Sequence, residues 1–279
     1  MQVFTEIKPL RAYFASLRKP GFSIGLVPTM GALHAGHLSL VARSRTENQH
    51  TVATIFVNPI QFNNPDDLAK YPRTLEKDLS MLAEVGCEVV FAPEANEIYP
   101  VAPQLQLSFG SLETSFEGTF RPGHFNGVGL VVAKLLHITD PTRAYFGLKD
   151  YQQLQIIKQL VQDLAFNTEI VACPTVREAD GLAMSSRNQR LLAQERAVAP
   201  VLYQVLQFCR DALRQGRAWA AIRPQAEERI KTAGARLEYL ELAHAQNLVP
   251  AEAVDTNNST VLLVAAYVGT VRLIDNLLV

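Results

Sequence analysis

An alternation of two kinds of run constrains this chain's fold most tightly. Over the first two-thirds, short apolar or β-branched runs take turns with helix-like ones. FSIGLV is strand-like and precedes the helix-like LSLVARSRTEN; TVATIFV, CEVVFAP, RAYFGL and TEIVAC are strand-like in turn. Between them, Leu75, Leu79, Leu82 and Val85 share one helical face ahead of a stop at Gly86. GVGLVVAKLLHI reads as a buried helix, and Leu154, Ile157, Val161 and Leu164 line one side of a helix over 150–164. Strands that alternate with helices pair in parallel, because each return to the sheet needs a long crossover. The expectation is an α/β fold, a doubly wound parallel sheet covered by helices, with ligands bound at the carboxyl ends of its strands.

The pattern changes near Pro174. Helix-like segments follow, one from Leu191 onward, one over PVLYQVLQFCRDALRQG and a third ending near Gly234. Two apolar β-like runs, ARLEYLELA and STVLLVAAYVGTVRLI, finish the chain. This predicts a smaller α+β domain over 176–279 after a larger one over 1–175, and a length of 279 residues is enough for both.

Composition excludes some roles. Lys and Arg total 26 against 27 acidic residues, so there is no basic surplus of the kind that holds nucleic acid. The first twenty residues carry scattered charges and no apolar h-region, and the longest apolar run is too short for a membrane span. Cys87, Cys173 and Cys209 lie far apart in apolar settings, which predicts buried thiols and a reducing, cytoplasmic compartment.

The chemistry is concentrated where the first long strand-like run meets its helix, in VPTMGALHAGHLSL. His34 and His37 stand three apart with Gly31 before them and Gly36 between. Two histidines without a third ligand make a poor zinc site, and the H-E-x-x-H spacing is absent. Helix capping accounts for the glycine but not for two imidazoles. An anion accounts for both: a helix N-terminus favours phosphate, and imidazole N–H groups add donors.

The wider context resembles a known family. HAGH is similar to the H-x-G-H signature of the nucleotidyltransferase superfamily, and AMSSRN to its second, phosphate-binding signature. PTMGALHAGHLSL, FVNPIQF, YPRTLEKD, RPGHFNGV, FGLKDYQQL and VREADGLAMSSRN, in that order, resemble the pantothenate synthetase (pantoate–β-alanine ligase) family across most of the chain. The resemblance implies a Rossmann-like N-terminal domain and a smaller C-terminal lid. It implies condensation of pantoate with β-alanine using ATP and Mg2+, through an acyl-adenylate, in a cytoplasmic homodimer.

By the same resemblance, Met30, Gly31, Ala32, Leu33, His34, Ala35, Gly36 and His37 wrap ATP. His34 and His37 bond its phosphates, and His37 matches a proton donor, a role that suits imidazole. Gly147, Leu148, Lys149 and Asp150 contact ATP, with Lys149 as a mobile charge. Met184, Ser185, Ser186 and Arg187 form the second phosphate loop, although Ser-Ser-Arg-Asn also suits an N-cap. Val176 matches a backbone contact to adenine. Gln61 and Gln153 match the pantoate-binding glutamines, whose amides offer donor and acceptor together; Gln153 also has capping-box spacing from Asp150. Asn58, Tyr71 and Arg121 match pocket positions, His124 and His137 read as structural, and no magnesium ligand is legible.

One departure is visible. The family pattern is G-E-K-D where this chain has Gly147-Leu148-Lys149-Asp150, which removes a carboxylate beside the triphosphate. The rival readings are another nucleotidyltransferase, such as a cytidylyltransferase, and a regulator that senses ATP without chemistry. The latter would not need donors grouped around a leaving group.

Overall fold

A computed structural model of the chain describes residues 1–255 and 259–279. They form two compact units, one of Met1–Gly147 with Gln153–Cys173, the other of Leu148–Gln152 with Pro174–Val279.

The first unit is built on six parallel strands: β1 (Gln2–Phe4), β2 (Ile24–Thr29), β3 (His50–Ile55), β4 (Val89–Phe91), β5 (Arg143–Gly147) and β6 (Glu169–Cys173). Their order is β1-β4-β3-β2-β5-β6, so the winding reverses between β2 and β5. Such a reversal opens a crevice at the carboxyl ends of the strands. Here the sequence widens it. Thr29 on β2 accepts from Phe56 on the β3 side, while Ile24 accepts from Thr142 on the β5 side. The even-numbered residues of β2 therefore face β5, and Pro28 has no N–H to offer it. Pairing of β2 with β5 runs through Gly25 and Leu26 and stops before Pro28.

Helices Ala35–Glu47, Leu75–Glu84, His124–Thr139 and Tyr151–Asp163 supply the long segments between strands. Val27, Val41, Ala53, Leu82, Val90 and Tyr145 meet in one core, with Cys87 and Cys173 among them. The helix over 124–139 is buried along most of its length, which explains its continuous apolar sequence.

The helix Leu75–Glu84 departs from the expected stripe. Leu75 is 46% exposed, whereas Asp78 is 1% exposed beside the fully buried Leu82. Helical spacing places Asp78 on the same face as Leu82 and Val85, and two backbone N–H partners offset the cost of its burial there. Leu164, also expected on a core face, is 49% exposed, because its helix ends at Asp163.

The second unit carries an antiparallel sheet in the order β7-β8-β9, with β7 (Arg236–His244), β8 (Thr260–Val268) and β9 (Val271–Leu278). Helices Val201–Arg214 and Trp219–Thr232 pack on it through Leu206, Cys209, Ile222, Leu240, Leu262 and Val264. The last apolar stretch reads as one run in the sequence, but it is two strands. Val268 pairs with Val271 around Gly269-Thr270, and Gly269 takes a positive φ of 58°, as a two-residue hairpin turn requires. The short edge strand β1 and the helix Ile7–Leu17 were also not anticipated. Among the described residues no helix is long and apolar enough to cross a membrane.

Candidate active site

In the first unit, the chain leaves β2 at Thr29 and enters the helix Ala35–Glu47 through Met30–His34. Thr29 is buried; its hydroxyl donates to the Thr54 carbonyl at 2.6 Å and accepts the Gly31 N–H at 3.2 Å. Gly31 and Ala32 both lie in the left-handed region, at φ 77° and 50°. A Cβ on Gly31 would stand 3.0 Å from Asp78 Oδ2, so the residue is required for its conformation and for its lack of a side chain. Asp78 explains how Ala32 tolerates a left-handed backbone. Its Oδ2 accepts the Ala32 N–H at 2.9 Å, its Oδ1 accepts the Leu33 N–H at 2.8 Å, and Thr74 donates to Oδ2 at 3.1 Å.

The two histidines cap the helix and face one another. His34 is the N-cap, and its Nδ1 accepts the Gly36 N–H at 3.1 Å. His37 reaches back, its Nδ1 accepting the His34 N–H at 3.4 Å. The rings lie with centroids 4.0 Å apart. This is a reciprocal capping box built from imidazoles rather than from hydroxyl and carboxylate. It has a chemical consequence. A neutral imidazole that accepts at Nδ1 carries its proton on Nε2, so the cap fixes both rings as Nε2 donors. The capping and anion readings are therefore compatible: the cap sets the tautomer that an anion needs.

After β3, the turn Pro59–Gln61 builds a polar corner. Asn58 is buried; its Nδ2 donates to Gln61 Oε1 at 3.0 Å and to the Gly127 carbonyl at 3.1 Å, and its Oδ1 accepts from the Tyr99 hydroxyl at 3.0 Å. Burial pushes the Tyr99 phenol up, so it remains a neutral donor. Gln61 Nε2 points to Met30 Sδ at 3.1 Å, which brings the turn after β3 against the loop after β2. His124 Nδ1 lies 2.9 Å from the Gln61 carbonyl, so this histidine braces the backbone of the corner. Gly127 makes the approach possible, since a Cβ there would stand 2.5 Å from the Ile60 carbonyl. Tyr71 packs edge-on to Phe62, and Arg121 stands 3.9 Å from the buried Glu117. Gln153 lies on the first turn of the helix Tyr151–Asp163, half-buried. His137 is exposed and packs at a tilt against Phe166.

In the second unit, Leu148–Asp150 form a 3₁₀ turn that runs directly into the helix Tyr151–Asp163. Lys149 Nζ is 3.9 Å from Asp150 Oδ1, with the lysine side chain mostly covered and the aspartate half-exposed. Leu148 is half-buried. The segment Val176–Met184 is a small hairpin: Met184 N–H donates to the Val176 carbonyl at 3.0 Å, and Arg177 bridges Ala183. It delivers Ser185, whose hydroxyl accepts the Arg187 N–H at 3.3 Å and caps the 3₁₀ helix Ser186–Arg190. The N-cap expected in Ser-Ser-Arg-Asn is thus present.

Asp78 is a site residue that was not anticipated from sequence, although a signal existed: a carboxylate within an apolar helical stripe. Arg177, Asp275 and Asn276, which are bonded to one another in the second unit, were likewise not anticipated. Among the described residues no group of three His, Cys, Asp or Glu could hold a metal ion.

The family model for pantoate-beta-alanine ligase matches residues 2–278. A relative from Phocaeicola vulgatus, a pantothenate synthetase, is 49% identical over 279 residues, covering 99% of each chain. The solved pantothenate synthetase of Thermus thermophilus superposes with a TM-score of 0.92 at 44% identity, covering 99% of each chain. The pantoate-beta-alanine ligase of Francisella tularensis, solved with beta-gamma ATP and beta-alanine, superposes with a TM-score of 0.85 at 38% identity, covering 100% of this chain and 97% of that one.

Proposed function

The chain belongs to the pantoate–β-alanine ligase family, and from that premise we propose how its residues carry out the reaction. The protein is an ATP-dependent ligase that condenses pantoate with β-alanine to pantothenate. The observation that carries the residue-level reading is the imidazole capping box at the switch point. It sets His34 and His37 as Nε2 donors in the loop that Gln61 also touches.

A carboxylate resists attack by an amine, because its carbonyl is electron-rich and oxide is a poor leaving group. In the first step a carboxylate oxygen of pantoate forms a bond to the α-phosphorus of ATP, and the bond from that phosphorus to pyrophosphate breaks. His37 Nε2–H donates a hydrogen bond to the departing pyrophosphate and so offsets the charge that builds there, and His34 bonds the phosphates beside it. Lys149 and Ser185, Ser186 and Arg187 supply positive and hydroxyl donors to the same phosphates. Gln61 and Gln153 hold pantoate by its hydroxyl and carboxylate groups, with Asn58 fixing the Gln61 amide and Tyr71 and Arg121 completing the pocket. Val176 offers its backbone to adenine. In the second step the β-alanine amine attacks the acyl carbonyl, AMP leaves with the electron pair of the broken C–O bond, and the amine nitrogen releases a proton to solvent.

Magnesium binds triphosphates while keeping several waters and taking one or two carboxylates. Among the described residues no three-ligand cluster is present, which fits an ion carried in on the nucleotide, and Asp150 on the Lys149 turn is the carboxylate that would help to hold it. Bound there, the ion would offset phosphate charge. The family resemblance supports a homodimer, and three buried, unpaired cysteines support the cytoplasm. Residues 176–279 serve as a lid in this reading.

Incubation with ATP, pantoate and β-alanine tests the route. The adenylate route releases AMP and pyrophosphate in equal amounts to pantothenate; release of ADP and phosphate would replace it with an acyl-phosphate route.

A further inference from the structure

The second unit contains a buried polar network that the chemistry above does not use. It is centred on two consecutive residues of β9, Asp275 and Asn276, which are 4% and 6% exposed. Asp275 interrupts a row that otherwise faces the core, between Leu273 and Leu277. A carboxylate there is costly unless it is fully bonded.

It is fully bonded, and the partners lead in two directions. Arg177 clamps it with both terminal nitrogens, Nη1 to Oδ2 at 2.6 Å and Nη2 to Oδ1 at 2.9 Å. The guanidinium lies 3.6 Å over the Tyr203 ring, and its Nη1 also donates to the Gly181 carbonyl at 3.0 Å. Arg177 is thus locked within the hairpin that delivers Ser185–Arg187. In the other direction, Asn276 N–H donates to Asp275 Oδ1 at 2.8 Å, and the Asn276 side-chain Nδ2 donates to the Leu148 and Lys149 carbonyls, each at 2.8 Å. Burial pushes the Asp275 carboxyl up, and Arg177 chiefly, with Lys149 further off, draws it back down.

We propose that Asp275 and Asn276 are positioning residues that tie the Lys149 turn and the Arg177 hairpin to one strand. This fixes Lys149 and the Ser185–Arg187 loop relative to each other. The proposal rests on the reading that both elements act on phosphate. Its physical basis is that an ion pair this deep adds little net stability over apolar side chains of similar size, whereas its directional bonds specify geometry. A single amide holding two successive carbonyls sets the direction in which Lys149 leaves the backbone, and a displacement of about 1 Å at a reacting group costs about 10²-fold in rate.

The test is a double-mutant cycle on the full chain, read as kcat, the KM for pantoate and the melting temperature. Asn276→Ala, and Asn276→Asp, which keeps the size but removes the donor, should each lower kcat about 10–100-fold. The KM for pantoate should stay within about twofold, because the Gln61 corner is untouched, and Asn276→Ala should remove less than about twofold more in a Lys149→Ala background. An equal loss in both backgrounds, or unchanged kcat in Asn276→Ala, overturns the proposal. So does failure of both Asn276 variants to fold, which would make the residue a stability element alone. Full turnover by Lys149→Ala would instead overturn the phosphate reading on which the proposal stands.

Discussion

Asp78 Oδ1 accepts the backbone N–H of Leu33 at 2.8 Å, across 45 residues of chain. With the matching bond to Ala32, this makes one buried carboxylate the support of the loop that leads to His34. Asp78→Ala would leave both N–H groups without that acceptor in a dry site. The expected loss is about 2–5 kcal/mol of unfolding free energy, read by urea denaturation. Asp78→Asn keeps the shape but presents an NH2 to one of the two donors, and should lose about 1–3 kcal/mol. A stability unchanged in both variants would show that the loop holds its left-handed turn without the carboxylate.

His37 caps its helix and, in the proposed mechanism, also donates to the leaving group; the His37→Ala variant separates the two by magnitude. Loss of a donor to the leaving group should lower turnover roughly 10²–10³-fold. Loss of the reciprocal cap bond should cost only about 0.5–2 kcal/mol of stability. Near-normal turnover in a folded variant would remove His37 from bonding the leaving group and leave it as a cap.

Leu148 stands where relatives are expected to carry an acidic residue. Its carbonyl is bonded to Asn276, and the role assigned to this turn is one of backbone and of Lys149. Leu148→Glu should therefore bind ATP within about threefold of the parent, a change under about 0.7 kcal/mol. Collapse of ATP affinity in a calorimetric titration would show that this phosphate turn depends on an apolar side chain.

The thiols give a pH prediction. Burial pushes Cys87 up to about 11 and Cys209 up to about 12, and raises Cys173 against the pull of Arg43. An unfolded thiol titrates near about 8.5. The folded values lie above it, so the contribution to stability is complete below about pH 8.5 and is lost as pH rises towards the folded values. Native protein at pH 8 should react with an aromatic disulfide reagent far more slowly than protein in guanidinium. Rapid modification of all three thiols in the native state would contradict their burial.

Much of this fold was legible because period and punctuation agree in the sequence. The central strands are apolar runs ending in turns, and the helices that follow them carry spaced apolar faces. What escaped lies where tertiary bonds override local pattern. Asp78 breaks an apolar stripe because two N–H groups 45 and 46 residues away need it. The strand β1 has three residues, too few to show a period. The final hairpin looks continuous because its turn is only Gly269-Thr270. At the site, His34 and His37 were legible as a pair at a strand–helix junction, but not that they cap one another through Nδ1. The pairing of Asp275 with Arg177 spans 98 residues, and no local spacing announces it.

The central claim is that activation of pantoate precedes and does not need the amine. ATP, magnesium and pantoate, with β-alanine absent, should support exchange of labelled pyrophosphate into ATP. The exchange should be lost with pantoate omitted and slowed roughly 10²–10³-fold in His37→Ala. Absence of pantoate-dependent exchange, in protein shown to be folded and to bind ATP, would contradict the account.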